Sequence, residues 1–138
     1  MPNLSKTSHL TAVGAIALLV SMATGFLTTQ YLSSRSIRYQ SAISLTGGDP
    51  DRSPMIFRRY GCTGCHTIPG VPGADGLVGP ALSGLSGRVY IAGVLPNTAD
   101  NLERWIVSPQ EFSPRTAMPA TGINSTEAKD LAAYLYTN

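Results

Sequence analysis

The chain has 138 residues, which leaves room for one small domain beside an apolar segment near its N-terminus. From Gly47 onward, the chain has seven basic and eight acidic residues, so this part is close to neutral. It lacks the clustered positive charge of nucleic-acid-binding proteins. The only two cysteines, Cys62 and Cys65, are separated by two residues, which excludes a disulfide framework.

The first predicted element is a hydrophobic helix. After a short region of residues 1–9, the segment Leu10–Leu32 is dominated by apolar residues, and no charged residue occurs from Thr7 to Ser34. As a helix it would be about 35 Å long, enough to cross the hydrocarbon core of a membrane. We therefore predict a transmembrane anchor over residues 10–32. The alternative is a secretory signal peptide, with Lys6 before the apolar region and a cleavage site at Ser21-Met22-Ala23.

Residues 33–52 are polar and predicted to be a tether, because the glycine-containing run Thr46–Pro50 lacks the apolar periodicity of a packed element. A single domain is predicted over residues 53–138. At its start, Ser53 is predicted to cap a helix with Pro54 at its first position. The apolar stripe of that helix leads into Cys62 and consists of Met55, Ile56, Phe57 and Tyr60.

Further helices are predicted later in the domain. The segment Gly70–Gly87 is rich in glycine and is predicted to be a loop. Asn97 or Thr98 can cap a helix that ends before Pro109, and Asn124 begins a sequence that resembles the capping box of a final helix. Together these patterns predict an all-α domain with three or more short helices.

The residues Cys62-Thr63-Gly64-Cys65-His66 form a C-x-x-C-H motif, which is typical of covalent haem attachment in c-type cytochromes. On one helical turn, both thiols point to the same side and can add to the two vinyl groups of one haem, while the adjacent imidazole binds the iron. A zinc site is the first alternative, but it needs about four ligands, and the only other histidine lies in the apolar N-terminal region. A thioredoxin-like redox pair is the second alternative, and it would need a βαβ pattern that this sequence lacks. We predict one covalently attached haem c.

The second axial ligand of the iron decides between electron transfer and chemistry on a small molecule. Beyond the N-terminal segment only Met55 and Met118 are available, and we expect Met55 in the core of the first helix. Met118 lies in the stretch Ser113–Pro119, which Pro114 and Pro119 keep extended. An extended stretch of this kind can cross the second face of the haem. The alternative is that Met118 fills a gap in the core. We predict His66 and Met118 as the iron ligands.

From Ser53 to Tyr136 the chain resembles the class I cytochromes c, and among them the domain fused to subunit II of some haem-copper oxidases. In those subunits a copper-binding cupredoxin domain and two membrane helices precede this domain, and the present sequence lacks both. The resemblance rests on an ordered set of motifs: Tyr60–His66, Val78–Leu82, Ser86–Arg88, Leu95–Thr98, Asn101–Ile106, Ala117–Pro119 and Leu131–Leu135.

The resemblance implies roles for three further residues and a class I cytochrome c fold around the haem. Pro80 would present its carbonyl group to the ring N–H of His66, which fixes the tautomer of that ligand. Arg88 and Trp105 would lie at the haem propionates. A solvated surface arginine is the alternative for Arg88, and core packing is the alternative for Trp105.

A haem with two axial ligands from the protein exchanges one electron with little rearrangement, so the sequence predicts an electron carrier and not an enzyme, without a small-molecule substrate. One alternative is a haem enzyme or gas-binding protein with an open sixth position. Another is a haem-bearing structural subunit of a larger complex.

We expect a membrane redox complex as the partner, such as a haem-copper oxidase or a quinol-oxidising complex, and no nucleic acid. The expected location is the bacterial cytoplasmic membrane, with a single membrane pass and the haem domain on the periplasmic side. If the signal peptide is cleaved, the domain is soluble in the periplasm.

Overall fold

The computed structural model describes residues 4–138, with the backbone alone described at residues 4–8 and at residue 10. Its first element is the long helix α1, Leu4–Thr46. The chain divides into two compact units, Met1–Ile37 and Arg38–Asn138, so the last turns of α1 belong to the second unit.

The first unit is helical throughout its described residues, and its large apolar side chains between Val13 and Leu32 are exposed. By length and composition, a helix over Thr11–Thr46 can cross a membrane, and an 18-residue window within it has a mean hydropathy of 1.8. The predicted apolar N-terminal helix is therefore present. A signal sequence near the N-terminus has the same character, so the helix is a candidate for either role.

The tether predicted over residues 33–52 differs from the structure. Helix α1 continues through Thr46, and a 3₁₀ helix follows at Pro50–Arg52. Tyr39, Ala42 and Thr46 share one helical face by their spacing, and Ala42 is only 1% exposed. The hydroxyl of Tyr39 donates to Asp51 Oδ2 at 2.9 Å. The end of α1 from Tyr39 to Thr46 is thus a packed part of the second unit, because these side chains cover one face of the helix.

The second unit continues with helices α2 (Ser53–Arg59) and α3 (Cys62–Cys65), and then with a long loop that contains a 3₁₀ turn at Leu85–Gly87. A small antiparallel hairpin of β1 (Tyr90–Ile91) and β2 (Leu95–Pro96) was not predicted. Helices α4 (Ala99–Val107), α5 (Pro109–Phe112) and α6 (Ser125–Thr137) complete the unit. The fold is mostly helical, as predicted.

Two of the three predicted helix caps are present. The side chain of Thr98 accepts a hydrogen bond from the backbone of Asn101 at the start of α4, and Asn124 accepts one from Glu127 at the start of α6. The prediction for Ser53 is wrong. Ser53 lies inside α2, and its buried hydroxyl donates to the carbonyl oxygen of Asp130 at 2.8 Å, a contact between residues far apart in the sequence.

The core lies between α6 and the helices α2 and α4. Phe57 on α2 and Tyr134 on α6 meet edge to face, with their ring centroids 5.5 Å apart. Met55 is not in this core, contrary to the prediction, because its side chain is 67% exposed. The core-facing side of α2 carries Ile56 and Phe57, and the preceding residue points away from it.

Candidate haem-binding site

One cavity of about 430 Å³ in the second unit is lined by all of the candidate site residues from the sequence. Most of its remaining lining is apolar and comes from α2, α4, α6 and the loops between them. The candidate residues that it brings together are Cys62, Cys65, His66, Pro80, Arg88, Trp105 and Met118.

The two cysteines lie at the ends of α3, which is a single helical turn. Gly61, before this turn, has a φ of 73°, a left-handed conformation that glycine adopts without steric cost and that lets the chain reverse between α2 and α3. Both cysteine side chains are partly buried, and they form no disulfide bond with each other. Burial raises the pKa of the Cys62 thiol, which favours its neutral form.

The imidazole of His66 is held in one orientation. Its Nδ1 lies 2.7 Å from the carbonyl oxygen of Pro80, so Nδ1 donates a hydrogen bond and Nε2 keeps a lone pair for a metal ion. Gly79 packs directly against the ring, because a Cβ atom at this position would lie 2.7 Å from Nδ1 and 2.9 Å from Nε2. The backbone N–H of Gly79 also donates to the carbonyl oxygen of Cys65 at 2.7 Å. A side chain at position 79 would therefore force the ring of His66 or the loop to move.

Met118 lies on an irregular strap between α5 and α6 and is partly buried. The strap is held by Gln110, whose Nε2 donates to the carbonyl oxygen of Met118 at 2.7 Å. The backbone N–H of Met118 also donates to the hydroxyl of Thr116 at 3.3 Å. Sequence reasoning missed Gln110, because no sequence pattern connects a glutamine in α5 with a backbone carbonyl group in the following strap.

Among the described residues that line the cavity, Arg88 is the only Asp, Glu, Lys or Arg. Its Nη2 donates to the carbonyl oxygens of Ala81 at 2.5 Å and Ser83 at 3.0 Å, so the guanidinium group is fixed at the cavity. Trp105 on α4 is 7% exposed and belongs both to the hydrophobic core and to the cavity lining.

The set of donor groups in this cavity fits a covalently bound haem. Two thiols on one helical turn suit the two vinyl groups of a haem. An imidazole with a free Nε2 and a thioether suit the iron, and one guanidinium group suits the haem propionates. The otherwise apolar lining suits the macrocycle. Fold and cavity together define a class I c-type cytochrome.

Comparison with known proteins agrees. The family model for cytochrome c matches residues 52–138, so the chain belongs to the cytochrome c family. Membership implies a covalently attached haem c, and Cys62 and Cys65 are consistent with the C-x-x-C-H motif that attaches it. The family supports a haem electron carrier.

Two curated relatives illustrate the range of this family. Cytochrome c2 iso-1 of Rhodospirillum centenum is 31% identical over an alignment of 121 positions with gaps, and the alignment covers 65% of this chain and 96% of that protein. Cytochrome c oxidase subunit 2 of Alkalihalophilus pseudofirmus is 37% identical over 82 residues, which cover 59% of this chain but only 23% of that protein. No solved structure matches the chain significantly.

Proposed function

We propose that this protein transfers single electrons through a haem whose iron is bound by His66 and Met118. The observation that carries the proposal is that both side chains line the same cavity as the two cysteines, whereas Met55 is 67% exposed and outside that lining. When bound, haem c supplies a one-electron couple, and methionine ligation raises its potential. Pro80 orients His66 through Nδ1, and Gln110 and Thr116 hold the backbone of Met118.

An enzyme or gas-binding protein would need an open sixth position and polar groups beside it. Among the described residues that line the cavity, His66 is the only imidazole, and no carboxylate is present. The thioether of Met118 can fill the sixth position. These features favour a carrier over a catalyst.

The two methionines of the second unit provide a matched test. We expect Met118→Ala to keep its covalent haem but to bind added imidazole and to have a lower reduction potential. Met55→Ala should leave both properties unchanged, because its side chain is exposed. If Met118→Ala binds no more imidazole than the wild type, Met118 is not the sixth ligand. If Met55→Ala gains imidazole binding instead, the strap is not the ligand-bearing segment.

We also propose that the N-terminal helix retains the domain at the bacterial cytoplasmic membrane, on its periplasmic side, where it delivers electrons to a membrane redox complex. Three features support this proposal: the length and apolar character of Thr11–Thr46, the likeness to an oxidase subunit, and the near-neutral charge from Gly47 onward. A neutral domain gains little from long-range electrostatic steering. Confinement at the membrane would instead raise its effective concentration near the partner, and so the rate at which the two meet. A haem-copper oxidase or a quinol-oxidising complex is the proposed partner.

Removal of residues 1–34, with export directed by a foreign cleavable signal, tests the anchor. This cut retains Tyr39, Ala42 and Thr46, which pack within the second unit, so the haem spectrum should remain that of the wild type. Electron delivery in isolated membranes should fall sharply and depend little on salt. The proposal is wrong if the released domain delivers electrons as fast as the full chain, or if the rate collapses in moderate salt. Either result would indicate a diffusing and electrostatically guided carrier.

A further inference from the structure

Asn97, which follows strand β2, makes a hydrogen bond with every polar atom of its side chain. Its Nδ2 donates to the carbonyl oxygens of Leu85 at 2.7 Å and Arg88 at 2.8 Å. Its Oδ1 accepts from the hydroxyl of Tyr136 on α6 at 2.9 Å. Its backbone N–H also donates to the carbonyl oxygen of Val89 at 2.9 Å. One side chain thus links the loop that carries Arg88 to the C-terminal helix.

These contacts fix the backbone of Arg88 on both sides. The N–H of Arg88 donates to the carbonyl oxygen of Leu85 at 3.0 Å, and the carbonyl oxygen of Arg88 accepts from Asn97. Leu85 is buried and lines the cavity, so it is a rigid neighbour. The guanidinium group is then fixed at its far end by Ala81 and Ser83. The amide of Asn97 therefore holds the backbone from which the charged side chain of Arg88 projects.

Arg88 is partly exposed but lies at a largely apolar lining, so water screens its charge less than in open solvent. The charge therefore acts on a redox centre inside the cavity, and the effect falls with distance. It destabilises the oxidised haem, which carries one more positive charge than the reduced haem, and so raises the potential. A displacement of Arg88 away from the cavity would therefore lower the potential, as removal of its charge would.

We propose that Asn97 is a positioning residue that holds Arg88 at the haem cavity and thereby raises the reduction potential. This inference rests on the proposed function, in which the cavity holds the redox-active haem and Arg88 lies near its carboxylates. Asn97 would act only through Arg88 and would not touch the iron ligands.

Asn97→Ala is the informative variant because it removes both amide donors without adding a charge. Asn101→Ala is its matched control: Asn101 lies four residues later and donates to the carbonyl oxygen of Pro96 at 3.0 Å, outside the contacts to Leu85 and Arg88. Tyr136→Phe removes only the hydrogen bond to Oδ1 and serves as a milder variant if Asn97→Ala does not fold.

The experiment is a double-mutant cycle on the haem-loaded full chain, with the reduction potential as its readout. We expect Arg88→Ala to lower the potential, Asn97→Ala to lower it by at least half as much, and Asn101→Ala to leave it unchanged. Tyr136→Phe should produce a smaller shift in the same direction. In the Arg88→Ala background, Asn97→Ala should have no further effect. The spectrum should show that both axial ligands are retained in every variant.

Each remaining outcome overturns the inference in a distinguishable way. If Arg88→Ala lowers the potential and Asn97→Ala does not, Asn97 does not position the charge. If the shift from Asn97→Ala is the same with and without Arg88, Asn97 acts by another route. If Arg88→Ala itself has no effect, the proposed place of Arg88 near the haem carboxylates is wrong, and the role of Asn97 is wrong with it.

Discussion

Gly79→Ala should disturb the orientation of His66, because the added methyl group points at its imidazole. The new Cβ would lie 2.7 Å from Nδ1 and 2.9 Å from Nε2 of the imidazole, well inside the normal contact distance. The ring cannot move aside freely, because Nδ1 donates to Pro80 at 2.7 Å. The methyl group must therefore displace either the ring or the loop.

The expected cost combines two effects. Overpacking of a tight site costs about 1 to 3 kcal/mol, and loss of the hydrogen bond between His66 and Pro80 costs about 0.5 to 1.5 kcal/mol. We expect a total destabilisation of about 1.5 to 4.5 kcal/mol. At about 4 to 8 °C per kcal/mol for a domain of this size, Tm should fall by about 6 °C or more.

Thermal unfolding of the haem-loaded protein, followed by circular dichroism, measures this loss. Gly87→Ala is the matched control, because a Cβ at Gly87 meets no atom within 4 Å and its backbone has no positive φ. The control should unfold within about 2 °C of the wild type, as is usual for surface substitutions. If Gly79→Ala also unfolds within that margin and keeps the wild-type haem spectrum, the fit of this loop around His66 is not as tight as described.

Three further predictions concern other parts of the second unit. Cys62→Ala or Cys65→Ala should weaken or abolish haem staining in a denaturing gel, whereas full staining after both replacements would exclude covalent attachment through this motif. The hydrogen bond from Tyr60 to Glu127 raises the pKa of the phenol above its ordinary value, so its stabilising effect is present below about pH 10 and is lost as the pH rises through the folded pKa. A Tyr60→Phe variant should therefore lose stability less steeply than the wild type in denaturant titrations above pH 10, and equal slopes would contradict this. Ala92 has a φ of 50°, so Ala92→Gly should stabilise the protein by up to about 1 kcal/mol, and a lower Tm would contradict the release of strain.

Those parts of the fold that depend on local signals could be predicted from the sequence. Thr98 and Asn124 cap their helices through residues three positions away, so the pattern and its structural effect lie in the same short segment. The same holds for the C-x-x-C-H motif, where one turn of helix brings both cysteines to the cavity. Met118 is a candidate ligand because few other ligand types occur in the sequence, and it lines the same cavity.

The predictions that failed depend on contacts between distant residues. The hydroxyl of Ser53 donates to Asp130 in α6 and does not cap α2, and no local pattern reveals that partner. The segment of Tyr39, Ala42 and Thr46 does carry a weak helical stripe, but its polar composition concealed it. The sequence marks Asn97 only as a possible helix cap and as part of the motif Leu95–Thr98, since its hydrogen bond with Tyr136 connects it to the other end of the domain.

The optical spectrum of the oxidised full-length protein tests the proposed electron carrier most directly. Binding by His66 and Met118 predicts a low-spin spectrum with the charge-transfer band of methionine–iron ligation. This band should disappear in Met118→Ala and persist in Met55→Ala. A high-spin wild-type spectrum without the band would contradict the account, because it would show an iron with an open sixth position.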